Sequence, residues 1–460
     1  MSRVPLFTLI LFLPFTLSSA AVSTAEQKSP SAQKSLRYGN TPDRYVPFRR
    51  FAKPYKEFFL EPIEFTGPGR EKPEPEGLEF VKIGFLGPIE KTVSVATGGM
   101  SHEEPLGIKM LQGVQLAIKQ ANARGGYRNR IPYKLIVRND NGLWGASGNE
   151  IIDLAYKEKV WAIIGTIDGA NSHIAIRAAL KAELPIMNTG DTDPTFIETN
   201  IPWVFRCISD DRQMCYLLAD YAYNKLGLKR IAGLRASNRY GRINMDEFRD
   251  GSRRLGHPLV AELQYRGGDT DFRPQLQRIK SLNVDGVVTY GDAQESGLIL
   301  KQMREMGMTD QVFLASDRIV FDEFLKTVGE KPGQVIAGYP YDPTLDNPKL
   351  HAFRKAFRES FNEEPEAYAA HGYDGACIII EGIEKAGLNR ALIRDSMAEI
   401  ERYHGVTGEI IFDATHNDVS PASLAILQNG KFNFYTREEL FGPKEKQTEQ
   451  ASTADSHAKL

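Results

Sequence analysis

Asp191 and Asp193 stand two residues apart in Asn188-Thr189-Gly190-Asp191-Thr192-Asp193-Pro194, among threonine hydroxyls. Carboxylates this close could act as an acid–base pair, hold a metal, or receive an ammonium group. The plainer alternative is a turn locked by Asp193-Pro194. Hydrolysis is the weakest of these readings, because no histidine or second acidic cluster supports it. Thr166-Ile167-Asp168-Gly169-Ala170-Asn171-Ser172 opens a helix after an apolar run. Its free N–H groups could hold a carboxylate with help from the helix dipole, or Asn171 or Ser172 simply caps. Asn139-Asp140-Asn141 ends another apolar run and could reach a ligand; capping through Asp140 or Asn141 is the safer expectation. Trp144 follows and could stack on a ligand or fill a gap between lobes. Gly267-Gly268-Asp269-Thr270-Asp271-Phe272 looks metal-like but reads better as a tight turn and helix start, capped by Asp271 or Thr270. The sequence holds no strand-linked GxGxxG, no GxxxxGK[ST], no GxSxG and no Cys/His cluster with zinc spacing. No catalytic residue, metal or cofactor is therefore expected.

The elements that must position these loops alternate. Val81–Leu86, Leu135–Val137, Trp161–Gly165 and Leu184–Met187 read as strands, with helical periodicity between them. Ile108, Leu111, Val114, Ile118 and Ala121 mark the first helix, and Gly125-Gly126 ends it. The alternation restarts at Trp203–Arg206 and runs through strands at 230–234, 259–263, 286–290 and 312–314. Strand–helix alternation implies right-handed crossovers and parallel sheets. Helices around 347–362, 366–386 and 389–400 and strands near 408–412 and 422–427 complete the body. The expected fold class is α/β, with two doubly wound parallel-sheet lobes whose strand ends face each other, where ligands bind.

At 460 residues the chain is long enough for two lobes and extensions, and a net charge of -2 argues against a nucleic-acid partner. Arg3, the apolar run Leu6–Leu13 and the small residues Ser18-Ser19-Ala20-Ala21 form the pattern of a secretory signal peptide over 1–21. The apolar run is too short to cross about 30 Å of hydrocarbon, and no later stretch reads as membrane-spanning. No cysteine lies near the cleavage site to carry a lipid, so the expected location is the periplasm. Cys207 and Cys215 could form a disulfide there, or stay as buried thiols. Residues 22–80 read as an irregular arm, rich in proline and aromatics, that packs back on the body or docks on a partner. The tail 443–460 is polar and expected to be disordered.

An ordered set of short motifs resembles the solute-binding proteins of ABC importers, in the leucine/isoleucine/valine-binding class with the type I periplasmic-binding fold. The set begins with Lys82-Ile83-Gly84-Phe85-Leu86-Gly87-Pro88, Ala162-Ile163-Ile164-Gly165, Phe205-Arg206 with Asp210-Asp211, and Arg239-Tyr240-Gly241. It continues with Gly268–Phe272, Tyr290-Gly291, Tyr368-Ala369-Ala370, Tyr373-Asp374 and Gly405-Val406-Thr407-Gly408. The resemblance spans about residues 80–435 and leaves the arm out.

It implies a monomeric, non-enzymatic receptor that closes two lobes on a small-molecule ligand and hands it to a membrane ABC permease. The alternative is a sensing or accessory protein on the same fold. The implied lobes are 81–209 with 337–422, and 210–336 with 423–442, hinged near Asp210, Ala337 and Ser423. The resemblance places the ligand among Gly169, Asn171, Ser172, Asp191, Thr192, Tyr240, Tyr290 and Asp317, and Trp144 joins this set on its own position after a strand end. Gly169 falls where the family usually offers a serine hydroxyl to a carboxylate, and Asp191 is a second departure. Leu106 stands where an aromatic often closes the pocket. Asp317 falls where an acid usually pairs with an ammonium. The implied solute, an amino acid, amide or related molecule, has a positive or donor-rich end.

Overall fold

The computed structural model describes residues 68–92, 101–199 and 201–442. The expected signal peptide, most of the arm and the tail lie outside the described residues.

The first sheet is laid down by β1 (Val81–Gly87), which is buried almost throughout. A strand buried on both faces needs an unbroken apolar run, and Val81-Lys82-Ile83-Gly84-Phe85-Leu86 comes close to one. A small hairpin, β2 (Glu90–Thr92) and β3 (Ser101–Glu103), leads into α1 (Pro105–Ala123). Then come β4 (Tyr133–Asn139), α2 (Trp144–Ile152), β5 (Ile163–Ile164), α3 (Gly169–Ala182), β6 (Ile186–Asn188) and β7 (Val204–Arg206). These strands pair in the order β4-β1-β5-β6-β7, all parallel.

The second sheet begins after α4 (Asp211–Asp220). It is built from β8 (Ile231–Ala236), α5 (Arg239–Arg254), β9 (Ala261–Tyr265), α6 (Arg273–Lys280), β10 (Gly286–Tyr290), α7 (Ala293–Glu305), β11 (Val312–Ala315), α8 (Asp322–Val328) and β12 (Val335–Tyr339). The parallel part runs β12-β11-β10-β8-β9, the same winding as the first sheet. Each sheet reverses direction beside its first strand, which opens a crevice at the strand ends.

The chain then returns to the first body through α9 (Pro348–Phe361), α10 (Ala367–Ala386) and α11 (Arg390–Ala398). After the hairpin β13 (Arg402–His404) and β14 (Glu409–Ile411), the described residues close with β15 (Ser423–Gln428), β16 (Lys431–Thr436) and α12 (Arg437–Phe441). Strands β15 and β16 add antiparallel to β12. Ala337 pairs with Ala315 and Ala425 inside this sheet, so the return crossing follows Tyr339 rather than falling at Ala337.

Helices α1 and α10 cross closely enough to require glycine on both. A Cβ on Gly113 would sit 2.0 Å from the Ala369 carbonyl oxygen, and one on Gly372 2.6 Å from that of Met110. The opposite face of the first sheet packs Leu86, Ile136 and Ile163 against Ile151 and Leu154 before and Ile176 on α3.

The three connections between the bodies meet at one side chain. Ser209 donates its hydroxyl to the carbonyl of Pro340 at 3.0 Å and to that of Ser420 at 3.4 Å. Gln213 also donates to the Ser420 carbonyl, at 2.7 Å. Without these acceptors a buried hydroxyl would be destabilising.

The described end of the arm binds the first body. Asn389 donates to the carbonyls of Gly69 and Lys72 at 2.9 and 2.8 Å, and Tyr127 donates to Glu74 at 2.5 Å. Cys207, Cys215 and Cys377 are free thiols, the first two buried. Cys215 contacts the Tyr290 hydroxyl at 3.1 Å, and Cys207 points to the His371 carbonyl at 3.8 Å.

Candidate functional site

The loops leaving β5, β6, β8, β10 and β11 meet at the strand ends, and their polar side chains converge there. After β6, Asn188 accepts from the N–H groups of Gly190 and Asp191 at 3.0 and 2.7 Å. Asp191 accepts from the Asp193 N–H at 3.0 Å, and Asp193 from the Thr195 N–H at 2.8 Å. Successive turns of this kind fix the loop without regular structure. Arg206, fully enclosed, donates to the Asp193 carbonyl at 2.6 Å, to Asn417 at 2.9 Å and to Asp210 at 3.1 Å.

Asp210 caps α4 in a reciprocal capping box with Gln213. Its neighbour Asp211 lies in the first turn, its N–H donating to the Thr192 carbonyl at 2.8 Å. Among the described residues neither carboxyl oxygen of Asp211 makes a well-formed hydrogen bond, the Thr192 hydroxyl being the side-chain donor near it.

On the second body, Asp317 follows β11. It accepts from the Tyr240 hydroxyl at 3.2 Å and from the Tyr368 hydroxyl at 3.0 Å. Tyr240 belongs to α5 of the second body, while Tyr368 rides on α10, which packs against α1 and β6 of the first. Burial pushes the Asp317 carboxyl above its ordinary value; Arg318 and the two tyrosines partly offset this.

Two arginines cross from one body to the other. Arg318 pairs with Asp292 at 2.8 Å on its own side and with Asp168 at 3.3 Å on the other, and lies 3.5 Å from the centre of the Tyr240 ring. Arg239 pairs with Asp193 at 2.7 Å and donates to the Thr195 hydroxyl at 2.8 Å. Gly169 makes room for that contact. A Cβ there would lie 2.5 Å from Asp193 Oδ2 and 2.9 Å from Arg239 Nε.

Of the expected site residues, the structure brings Gly169, Asp191, Thr192, Tyr240 and Asp317 into this group. Asn171 and Ser172 lie buried inside α3: Asn171 donates to Asp140 at 2.8 Å, and Ser172 bonds the Thr166 hydroxyl. Burial pushes Asp140 up to about 6, against the pull of Asn171 and the Gly142 N–H.

The expected caps are not formed. Asp140 binds the Gly142 N–H instead of capping α2, whose cap position is Leu143; α3 starts at Gly169, before Asn171 and Ser172. The α6 cap position is Phe272, which makes no side-chain cap, and Asp271 accepts only distantly from the Arg273 N–H, at 3.3 Å.

Trp144 and Tyr290 are not brought to the Asp317 group. Trp144 opens α2 with 65 % exposure, and Tyr290 is 1 % exposed in a core beneath the second sheet. Sequence reasoning left Asp168, Asp193, Arg239, Tyr368 and Asp211 out of the ligand set and did not single out Arg318. Arg318 had one signal, its place beside Asp317.

Among the described residues, no group of three or more His, Cys, Asp or Glu is arranged to hold a metal. No helix among them is long and apolar enough to cross a membrane.

Residues 81–431 match the family model described as periplasmic binding protein. The chain is 28 % identical over 348 residues to the Leu/Ile/Val-binding protein homolog 2 of Brucella abortus, covering 72 % of this chain and 89 % of that one. It is also 28 % identical to an amino acid binding protein of Pseudomonas aeruginosa, over 60 % of this chain and 74 % of that one. Among solved structures, the branched-chain amino acid transporter substrate binding protein LivJ of Streptococcus pneumoniae, in complex with isoleucine, superposes with a TM-score of 0.69. That pair shares 25 % identity over 78 % of this chain and 99 % of the other. A solute binding protein from R. palustris in complex with benzoate shares the fold, with a TM-score of 0.68 at 20 % identity over 80 % of this chain and all of the other.

Proposed function

Because the chain belongs to the periplasmic binding protein family, we propose that it captures a small polar solute between its lobes and delivers it to an ABC-type membrane permease. The observation that carries this reading is the sharing of Asp317 between Tyr240 of one body and Tyr368 of the other. A buried acid gripped from both sides is what a closing cleft sets against a donor on its ligand. The names of the relatives favour an amino acid; an amide or related solute suits the same polar cleft.

The lobes are 81–209 with 340–422, and 210–339 with 423–442. The ligand set is Gly169, Asp191, Thr192, Tyr240 and Asp317, with Asn171 and Ser172 shaping the first lobe's loop. The protein acts without catalysis or a cofactor, as an exported periplasmic monomer.

The test is a melting and X-ray scattering screen of protein purified from the periplasm, against amino acids, amides, polyamines and aromatic acids. A ligand at about 100 times its dissociation constant adds roughly 2.7 kcal/mol, and binding should compact the particle. If no solute in the panel moves the melting point or the radius of gyration, solute capture is the wrong reading.

A further inference from the structure

We propose that the cleft takes an organic cation carrying no carboxylate, such as a primary amine, diamine or amidinium; this rests on the solute-binding reading above but puts a carboxylate-free cation in place of an amino acid.

Charge bookkeeping leads there. Arg206 is matched by Asp210, Arg239 by Asp193, Arg212 by Glu198 and Glu247, and Arg318 by Asp168 and Asp292. Asp191, Asp211 and Asp317 are left with no ion-pair partner among the described residues. Their exposures are 2 %, 1 % and 1 %. Asp317 has two tyrosine hydroxyls and Asp191 one N–H as donors, but none of the three acids pairs with a cation among the described residues, and a carboxylate deep in protein is destabilising until a charge meets it.

The hydrogen-bond inventory points the same way. Both oxygens of Asp211 and Oδ2 of Asp191 are closed off from solvent and make no well-formed hydrogen bond among the described residues; the hydroxyls of Thr192 and Ser172 are the side-chain donors near these two carboxyls. The Ser316 hydroxyl, beside Asp317, is closed off in the same way. The Asp211 N–H donates to the Thr192 carbonyl at 2.8 Å, which sets Asp211 against the loop that carries Asp191 and Asp193, and the Asp317 charge is felt there too. An ammonium or amidinium brings several N–H donors to such a cluster at once.

A ligand carboxylate finds little to bind. Arg206 and Arg239 are already engaged, and the room above Gly169 holds the Asp193–Arg239 pair. Arg318 Nε remains a free donor. It suits a neutral oxygen on the same ligand.

The experiment is calorimetry and thermal shift on the periplasmic protein at pH 7.5, with putrescine, agmatine, ethanolamine and butylamine. Ornithine, leucine, isoleucine and benzoate serve as comparisons. At least one carboxylate-free amine should bind, and ornithine should bind at least tenfold more weakly than putrescine. Asp211→Asn should weaken the amine at least tenfold while leaving the unliganded melting temperature unchanged or higher, since it removes an orphan acid. Asp191→Asn supplies the same test should Asp211→Asn fail to fold. Tighter binding of leucine, isoleucine or benzoate than of every amine overturns the proposal but leaves solute capture standing. Unchanged amine affinity in both variants also overturns it. Silence from the whole panel counts against solute capture itself.

Discussion

Arg318 reaches out of the second body to Asp168 of the first, 3.3 Å away across 150 residues of sequence. Its other branch holds Asp292 at 2.8 Å, and its plane covers the Tyr240 ring. One guanidinium thus bridges the mouth. Arg318→Ala should favour the open form: a larger radius of gyration by X-ray scattering and a melting temperature lower by the equivalent of about 1.5–3 kcal/mol. An unchanged scattering profile would show that this pair does not hold the bodies together.

The connection between the bodies has its own weak point. Ser209→Ala deletes the side-chain hydroxyl that joins Pro340 to Ser420 through hydrogen bonds of 3.0 and 3.4 Å. Stability should fall by about 0.5–1.5 kcal/mol. Amide hydrogen exchange should speed up around residues 207–213, 340–342 and 420–423, with little change in the sheets. Exchange that quickens evenly over the whole chain would contradict a local role.

Asp191 supplies a pH test. Burial and the neighbouring Asp193 charge push its carboxyl up to about 7 in the folded chain, against about 3.9 when unfolded. Folding therefore takes up a proton between those values. The stability tied to this group is full below pH 4 and is lost as pH rises through 7. Asp191→Asn removes the group but keeps an acceptor for the Asp193 N–H. The variant should gain on the natural protein by about 1–3 kcal/mol between pH 5 and pH 8. Melting curves at the two pH values check this, and a constant difference between the proteins would place the titration elsewhere.

The crossing of α1 and α10 makes a steric prediction. Gly113→Ala puts a methyl 2.0 Å from the Ala369 carbonyl, a backbone atom that cannot swing away. The helices must separate, at a cost of about 1–3 kcal/mol. Ligand affinity should hold if the altered crossing leaves Tyr368 in place. Denaturant unfolding measures the first effect and calorimetry the second.

Most of the fold was legible because buried parallel strands are apolar runs and the helices between them keep a 3.6-residue period. Val81–Leu86 and Val312–Leu314 needed nothing more. Tyr240 and Asp317 were pointed to by the family resemblance, and the structure sets them in hydrogen-bond contact at the strand ends of the second body. Tyr290, expected at a matching strand end, lies in the core instead. It shares a face with Val288, and that face is turned into the core below the sheet. A strand buried on both sides has no polar stripe to reveal which face is which. Arg318 and Tyr368 were harder still. Which arginine crosses a gap, and which tyrosine reaches an acid 51 residues away, depends on packing between bodies and leaves no local pattern. The missing caps on α2 and α3 have a similar origin: Asp140 and Asn171 bind each other instead.

The meeting of three backbone segments at Ser209 also sets a geometry of travel. Segments tied at one point turn about it rather than slide, so displacement grows with distance from that serine. Residues beside the tie, such as Asp210 and Gln213, barely move. Strand-end side chains sweep wider arcs, and Trp144, exposed at the start of its helix, is placed to report them through its fluorescence. Asp211 of the candidate site stands two residues beyond that serine, in the first turn of the helix that Asp210 caps, so pivot and site share one segment and a change in either is felt by the other.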